Sequence, residues 1–205
     1  IEGVAAAKAE IIAGLLPEGT AVLNADDARA AAMAELAPAR VLTFSAQGRQ
    51  ADLRAENVNL DAAARAAFDL HLPGLAEPRR VQLAVAGAHN VSNALAAAGL
   101  ALAAGLDPEL VADRLGSVSI ESPHRMDVSE LGGDLLLIDD SYNANIDSMT
   151  AALAVLPALA GDRRRVVVVS EMLELGESSA ADHARTGELA AQAGAAMLIG
   201  IGSTQ

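Results

Sequence analysis

The chain has 205 residues, 52% of them hydrophobic but only 1% aromatic. It can bury a sizeable core, and that balance suits helix layers and buried parallel strands rather than an aromatic-rich sandwich. Fourteen Lys and Arg against 27 Asp and Glu give a formal charge of −13, which argues against nucleic acid as a partner, while the lack of cysteine excludes disulfides, thiolate nucleophiles and Cys-ligated zinc and fits a cytoplasmic protein.

Val4, Ile11 and Leu15 share one face of an opening helix, which Leu16-Pro17-Glu18-Gly19 stops. Strands are expected over 21–23 and 41–44, with an Ala-rich helix over 28–37 between them. Residues 52–60 and 65–72 alternate apolar and polar positions, Pro73-Gly74 turns the chain, and a further strand covers 81–85. In residues 89–104, Val91, Ala94, Leu95, Ala98 and Leu102 form an apolar stripe that ends at Gly105. Asp107-Pro108-Glu109 then supplies an N-cap acid, a first-turn proline and a first-turn acid, and Gly116 closes that helix. The stretch 117–123 is polar at its centre and ends in Pro123, which predicts a boundary near residue 120.

Beyond it, apolar runs begin near 135, 166 and 197, about 31 residues apart (the size of a βα unit), with helices expected over 148–159 and 180–193. Uninterrupted runs predict strands covered on both faces in a parallel sheet with right-handed crossovers. Ligands of such sheets sit beyond the carboxyl ends of the strands, where this chain carries Asp139, Asp140, Ser170 and Glu171. No apolar run reaches the length of a membrane span and no leader pattern is visible, so membrane insertion is not expected. A first residue of Ile1 and a strand-like end at 199–205 read as a piece of a longer chain.

Lys8 is the only lysine. Its spacing from Val4, Ile11 and Leu15 puts it on the apolar stripe, where two readings fit. The stem can pack while the ammonium snorkels to water, or a partly buried amine can lose its proton and take up CO2. A carbamate so formed is an oxygen ligand for a hard cation such as Mg2+. Because Lys8 lies between Ala7 and Ala9, this chain has no phosphate-cradling Gly-Lys-Ser/Thr loop.

Asn90 and Asn93 stand three apart at a helix start, so their amides can project to one point and suit a purine edge, or one can simply cap the helix. Arg125, near the predicted boundary, can clamp phosphate or form a surface ion pair. Asp139-Asp140-Ser141-Tyr142-Asn143-Ala144-Asn145 crowds two acids, a hydroxyl, a phenol and two amides at a strand end, a composition that suits a polar ligand. His71 and His183 read as structural or surface residues.

Taken in order, Glu2-Gly3-Val4-Ala5-Ala6-Ala7-Lys8, Gly19-Thr20-Ala21-Val22-Leu23-Asn24-Ala25-Asp26-Asp27, the 89–93 and 123–126 segments, 138–149 and 171–177 resemble the Mur ligases over essentially the whole chain. The match is nearest to the branch that joins D-alanyl-D-alanine (D-Ala-D-Ala) to UDP-N-acetylmuramoyl-tripeptide (UDP-MurNAc-tripeptide). The resemblance implies an α/β fold in which residues 1–118 are the later part of a central ATP-binding domain. Residues 119–123 would be a linker, and 124–205 the first part of a Rossmann-like C-terminal domain with a parallel sheet. It further implies an ATP-dependent amide ligase of peptidoglycan synthesis, working through an acyl phosphate, monomeric and cytoplasmic. Residue by residue, Lys8 matches a catalytic, Mg2+-holding carbamylated lysine, Asn90 and Asn93 match adenine-side asparagines, and Arg125, Asp140 and Tyr142 match nucleotide contacts. Asn143 and Asn145 match the loop near the acceptor. The pattern departs at Ile146, where the family has proline, and at Ser170, where it has glycine. Against this stand a sibling ligase adding another amino acid, and a non-catalytic nucleotide-binding remnant.

Overall fold

The computed structural model describes residues 1–118 and 123–202. The core of the expected linker, 119–122, and the last three residues lie outside the described residues. The chain divides into two compact units, one of residues 1–61, 65–85 and 89–118, the other of 62–64, 86–88 and 119–205.

The first unit opens with helix α1 (Glu2–Ala13). Strands β1 (Thr20–Asn24), β2 (Arg40–Ser45), β3 (Leu53–Leu60), β4 (Arg65–His71) and β5 (Arg79–Ala86) form one sheet in that order. β1, β2 and β3 run parallel, whereas β4 returns antiparallel to β3. Between β1 and β2 the expected long helix is a short α2 (Ala28–Ala32), capped by the Asp27 carboxylate, that tightens into a 3-10 turn over Met33–Leu36. Helices α3 (Asn90–Ala103) and α4 (Pro108–Leu115) complete the unit. As its stripe predicts, α3 buries Val91, Leu95 and Ala98 against Leu42, Leu53, Phe68 and Leu83 of the sheet. The approach is close. A Cβ on Gly99 would stand 2.6 Å from Cγ1 of Val22 in β1.

At the carboxyl ends of β1 and β2 a carboxylate ties the two strands together. Asp26 accepts the Ser45 hydroxyl and the Ala46 N–H, each at 2.7 Å, and Ser45 is fully buried. Ser45 Oγ in turn accepts the N–H groups of Gln47 and Arg49. A buried polar group must be bonded to be tolerated, and this one is.

In the second unit the parallel expectation holds for two of the three apolar runs. β8 (Val166–Ser170) and β9 (Met197–Ile201) pair in parallel. The third run, β7 (Leu135–Asp139), instead pairs antiparallel with β6 (Asp127–Gly132), a strand the sequence did not announce because its acids interrupt any apolar run. The pairing follows from a tight reversal in which Gly132, Gly133 and Asp134 all take positive φ. Coverage on both faces also fails. Val167 is buried with Leu153, Leu189, Ala190 and Ala193 under α5 (Ile146–Ala160) and α6 (Ser179–Gln192), while Val166 and Val168 are exposed. One face of β8 therefore carries the core and the other faces solvent. The Arg165 guanidinium joins the ends of both helices, donating to Ala193 O at 2.8 Å and Gly161 O at 3.0 Å.

Candidate functional site

The residues that 123–126 and 138–145 contribute meet at the start of β6 and the end of β7. Asp127 pairs with Asp139 in the hairpin, so the segment before β6 lies beside the segment after β7. His124 and Met126 both take positive φ, and this kinked backbone lets the Tyr142 N–H donate to His124 O at 3.0 Å. Arg125, between them, lays its guanidinium over the Tyr142 ring, 4.1 Å from the centroid. Such a cation–π contact contributes about 0.5–1 kcal/mol at an exposed site and orients the planar fork. Asp140 accepts the Met126 N–H at 3.0 Å, which holds its carboxylate at the strand end. Arg125, Asp140 and Tyr142, drawn from two motifs, thus stand together, a cation and an anion beside an exposed aromatic face.

Asp139, at the carboxyl end of β7, organises this corner. Its carboxylate accepts the Ser141 hydroxyl at 2.7 Å, His124 Nδ1 at 2.7 Å and the Ser141 N–H at 3.1 Å. These bonds, the Ser141 hydroxyl first and His124 next, pull its pKa from 3.8 down to about 2. The signal was present in Ser141, two residues on, the spacing of an Asx-type turn.

Asn143 and Asn145 do local work here. Asn143 accepts the N–H of Ala144. Asn145 caps α5 through a capping box, its side chain accepting the Ser148 N–H at 2.8 Å while the Ser148 hydroxyl accepts the Asn145 N–H at 3.0 Å. Ile146 takes the first helical position, where proline would equally fit.

In the first unit, Asn93 Nδ2 donates to Asn90 Oδ1 at 3.0 Å, so the two amides do converge on one point. Asn90 is buried and Asn93 exposed, leaving the second amide to face outward from the first turn of α3. Lys8 departs from the buried-amine reading. α1 turns Ala5, Ala9 and Ile12 inward, whereas Val4, Lys8 and Ile11 are exposed and no residue of α1 is fully buried. α1 lies against the 3-10 turn over Met33–Leu36. An Mg2+ ion takes six oxygens in near-octahedral array. Among the described residues no group of three or more His, Asp or Glu could hold a metal. An open depression of about 460 Å3 at the bulge of β3, lined by Ala46, Gln47, Gly48, Ala55, Glu56 and Asn57 among others, includes none of the predicted residues.

Comparison with known proteins bears on this geometry. The Mur ligase middle domain matches residues 1–101 and the Mur ligase glutamate ligase domain matches residues 124–205. The UDP-N-acetylmuramoyl-tripeptide–D-alanyl-D-alanine ligase of Mycobacterium tuberculosis is 42% identical over 98% of this chain and 40% of its own length. The ligase of the same name from Escherichia coli is 37% identical over 98% of this chain and 44% of its own. Among solved structures, MurF from Acinetobacter baumannii superposes with a TM-score of 0.84 at 33% identity, covering 98% of this chain and 43% of that one. The chain spans about two-fifths of the length of the curated relatives it matches. With both domain matches in the expected order and the α/β architecture shared, the chain belongs to the Mur ligase family.

Proposed function

We propose that this chain is part of a MurF-type amide ligase that joins D-Ala-D-Ala to UDP-MurNAc-tripeptide at the expense of ATP, as a monomer in the cytoplasm. The observation that carries the reading is 42% identity to a ligase so named across 98% of the chain. In this reading residues 1–118 belong to the ATP-binding domain and 124–205 to the C-terminal domain, joined by 119–123. The tripeptide carboxylate attacks the γ-phosphorus of ATP and ADP leaves. The D-Ala-D-Ala amine then attacks the acyl phosphate, losing a proton and expelling phosphate.

The chain's own residues have separable roles. Arg125, oriented by the Tyr142 ring, offers two parallel N–H donors to phosphate oxygens, a geometry a lysine cannot supply. Asp140 accepts a hydroxyl from the nucleotide or balances the Arg125 charge. The Asn90–Asn93 pair reads the adenine edge through the outward amide of Asn93. Asn143 lies on the acceptor side, where Asn145 acts by holding the α5 start in place. The proposed part of Lys8, a carbamate for Mg2+, rests on the family resemblance alone.

The test uses a ligase of full family length that contains this chain. Phosphate release should require both the nucleotide-sugar peptide and the dipeptide. Arg125→Lys should raise the KM for ATP by about tenfold. Lys8→Ala should lose most activity and recover part of it with small carboxylates. Phosphate release independent of the dipeptide, or a different amino acid accepted in its place, would assign the chain to a sibling ligase.

A further inference from the structure

His183 lies in α6, and both of its ring nitrogens are engaged by the backbone. The Met172 N–H can only donate, and it meets Nε2 at 2.9 Å, so Nε2 carries a lone pair. The Ser179 carbonyl can only accept, and it lies 2.7 Å from Nδ1, so Nδ1 carries the proton. The ring is therefore the neutral Nδ1–H tautomer. A proton added at Nε2 would set two donors against each other at Met172.

The segment held in this way leaves the carboxyl end of β8. Met172 is 4% exposed whereas its neighbour Leu173 is 71% exposed, and Glu174 takes a φ of 62°. An L-residue at that angle is strained and needs its surroundings to hold it. Glu171 lies beside Gly202, which follows β9, since a Cβ on that glycine would be 3.5 Å from the Glu171 Cβ. Residues 171–174 thus border the end of the parallel pair where ligands of such sheets sit.

We infer that His183 is a positioning residue, a neutral imidazole that pins the Met172 amide and so fixes residues 171–174 for the amine substrate. The role rests on the ligase reading above, and it concerns a histidine whose position in the sequence suggested only a structural part. Leu173 is the exposed apolar contact and Glu171 and Glu174 are the carboxylates that the tether sets in place, chemistry suited to a substrate with an ammonium group and small aliphatic side chains.

Two measurements test it. In the 205-residue chain, nitrogen NMR should show Nε2 of His183 unprotonated, and exchange of the Met172 amide should quicken about fivefold in His183→Leu. His183→Gln, whose side-chain oxygen can replace the Nε2 acceptor, should stay within about twofold of the wild type. In the full-length ligase, His183→Leu should raise the KM for the dipeptide about fivefold with kcat nearly unchanged, and the glutamine variant should recover it. A protonated Nε2, or unaltered exchange in both variants, overturns the tether. Faster exchange with an unchanged KM overturns the positioning role while leaving the tether. A wild-type parent without ligase activity removes the ligase reading and the positioning role with it, and the exchange result still decides the tether.

Discussion

Arg165 offers the sharpest test of how the second unit is held. Its two terminal nitrogens bind the last carbonyls of α5 and α6, at Gly161 and Ala193. Each is a charge-assisted bond of about 1.5–3 kcal/mol at a half-buried site, and a cation at two helix C-termini adds about 0.3–1 kcal/mol for each. Against this, Arg165 Nε is buried with no hydrogen-bond partner, a standing cost of about 1–3 kcal/mol that truncation relieves. The balance for Arg165→Ala is a loss of about 4 kcal/mol. With a urea m-value of about 2 kcal/mol/M, the midpoint of the second unit should fall by about 2 M, read by far-UV circular dichroism. Arg164→Ala, one residue earlier and exposed, is the control and should move the midpoint by less than about 0.5 kcal/mol in free energy. Gly194 sharpens the case, because it has a φ of 74° and a Cβ there would lie 2.6 Å from Arg165 Nη1. Gly194→Ala should cost about 1–3 kcal/mol in the wild type and less once Arg165 is removed. Equal effects of the two arginine truncations, or strict additivity with Gly194→Ala, would refute the double-cap reasoning.

Further outcomes follow from the strand-end corner and the start of α5. Asn145→Ala breaks the capping box and should cost about 1 kcal/mol by urea denaturation. Ile146→Pro should be neutral or stabilising by about 0.4–1 kcal/mol, since Asn145 is already extended (φ −145°, ψ 169°) as a residue before proline must be. Asp139 is depressed from 3.8 to about 2 in the folded chain. Its bonds to Ser141 and His124 therefore stabilise fully above pH 3.8, and that contribution disappears as pH falls through about 2. A carboxylate NMR titration should give a midpoint near 2, moved upward by Ser141→Ala. A wild-type midpoint at 3.8 or above would count against the corner as described.

Much of the fold was legible because periodicity reports burial. The α3 stripe, the Asp107-Pro108 helix start and the alternation in β3 and β4 each reflect one buried face. The hairpin partner β6 was not legible, because its pairing is backbone to backbone and its side chains are largely exposed, which leaves no apolar pattern to read. The same limit applied to Lys8. Spacing showed which residues share a face of α1 but not which face packs, and it is Ala5, Ala9 and Ile12 that turn inward. Arg125 and Asp140 were identifiable as polar groups at a boundary and a strand end. Their meeting depended on the positive φ angles at His124 and Met126, which residue type alone does not announce. The partners of His183 could not be read from the sequence, since they are main-chain atoms and these look the same at every position.

The fit between Gly99 and Val22 makes two distant positions hereditary companions. The valine fills the space that any side chain on the glycine would need, so a methyl gained at one site has to be matched by bulk surrendered at the other, or α3 tilts away from β1 and swings the asparagine pair at its beginning. Variation at the strand therefore reaches the Asn90–Asn93 amide pair without touching it. Double substitution to Ala at 99 and Ala at 22 should restore what either change alone disturbs.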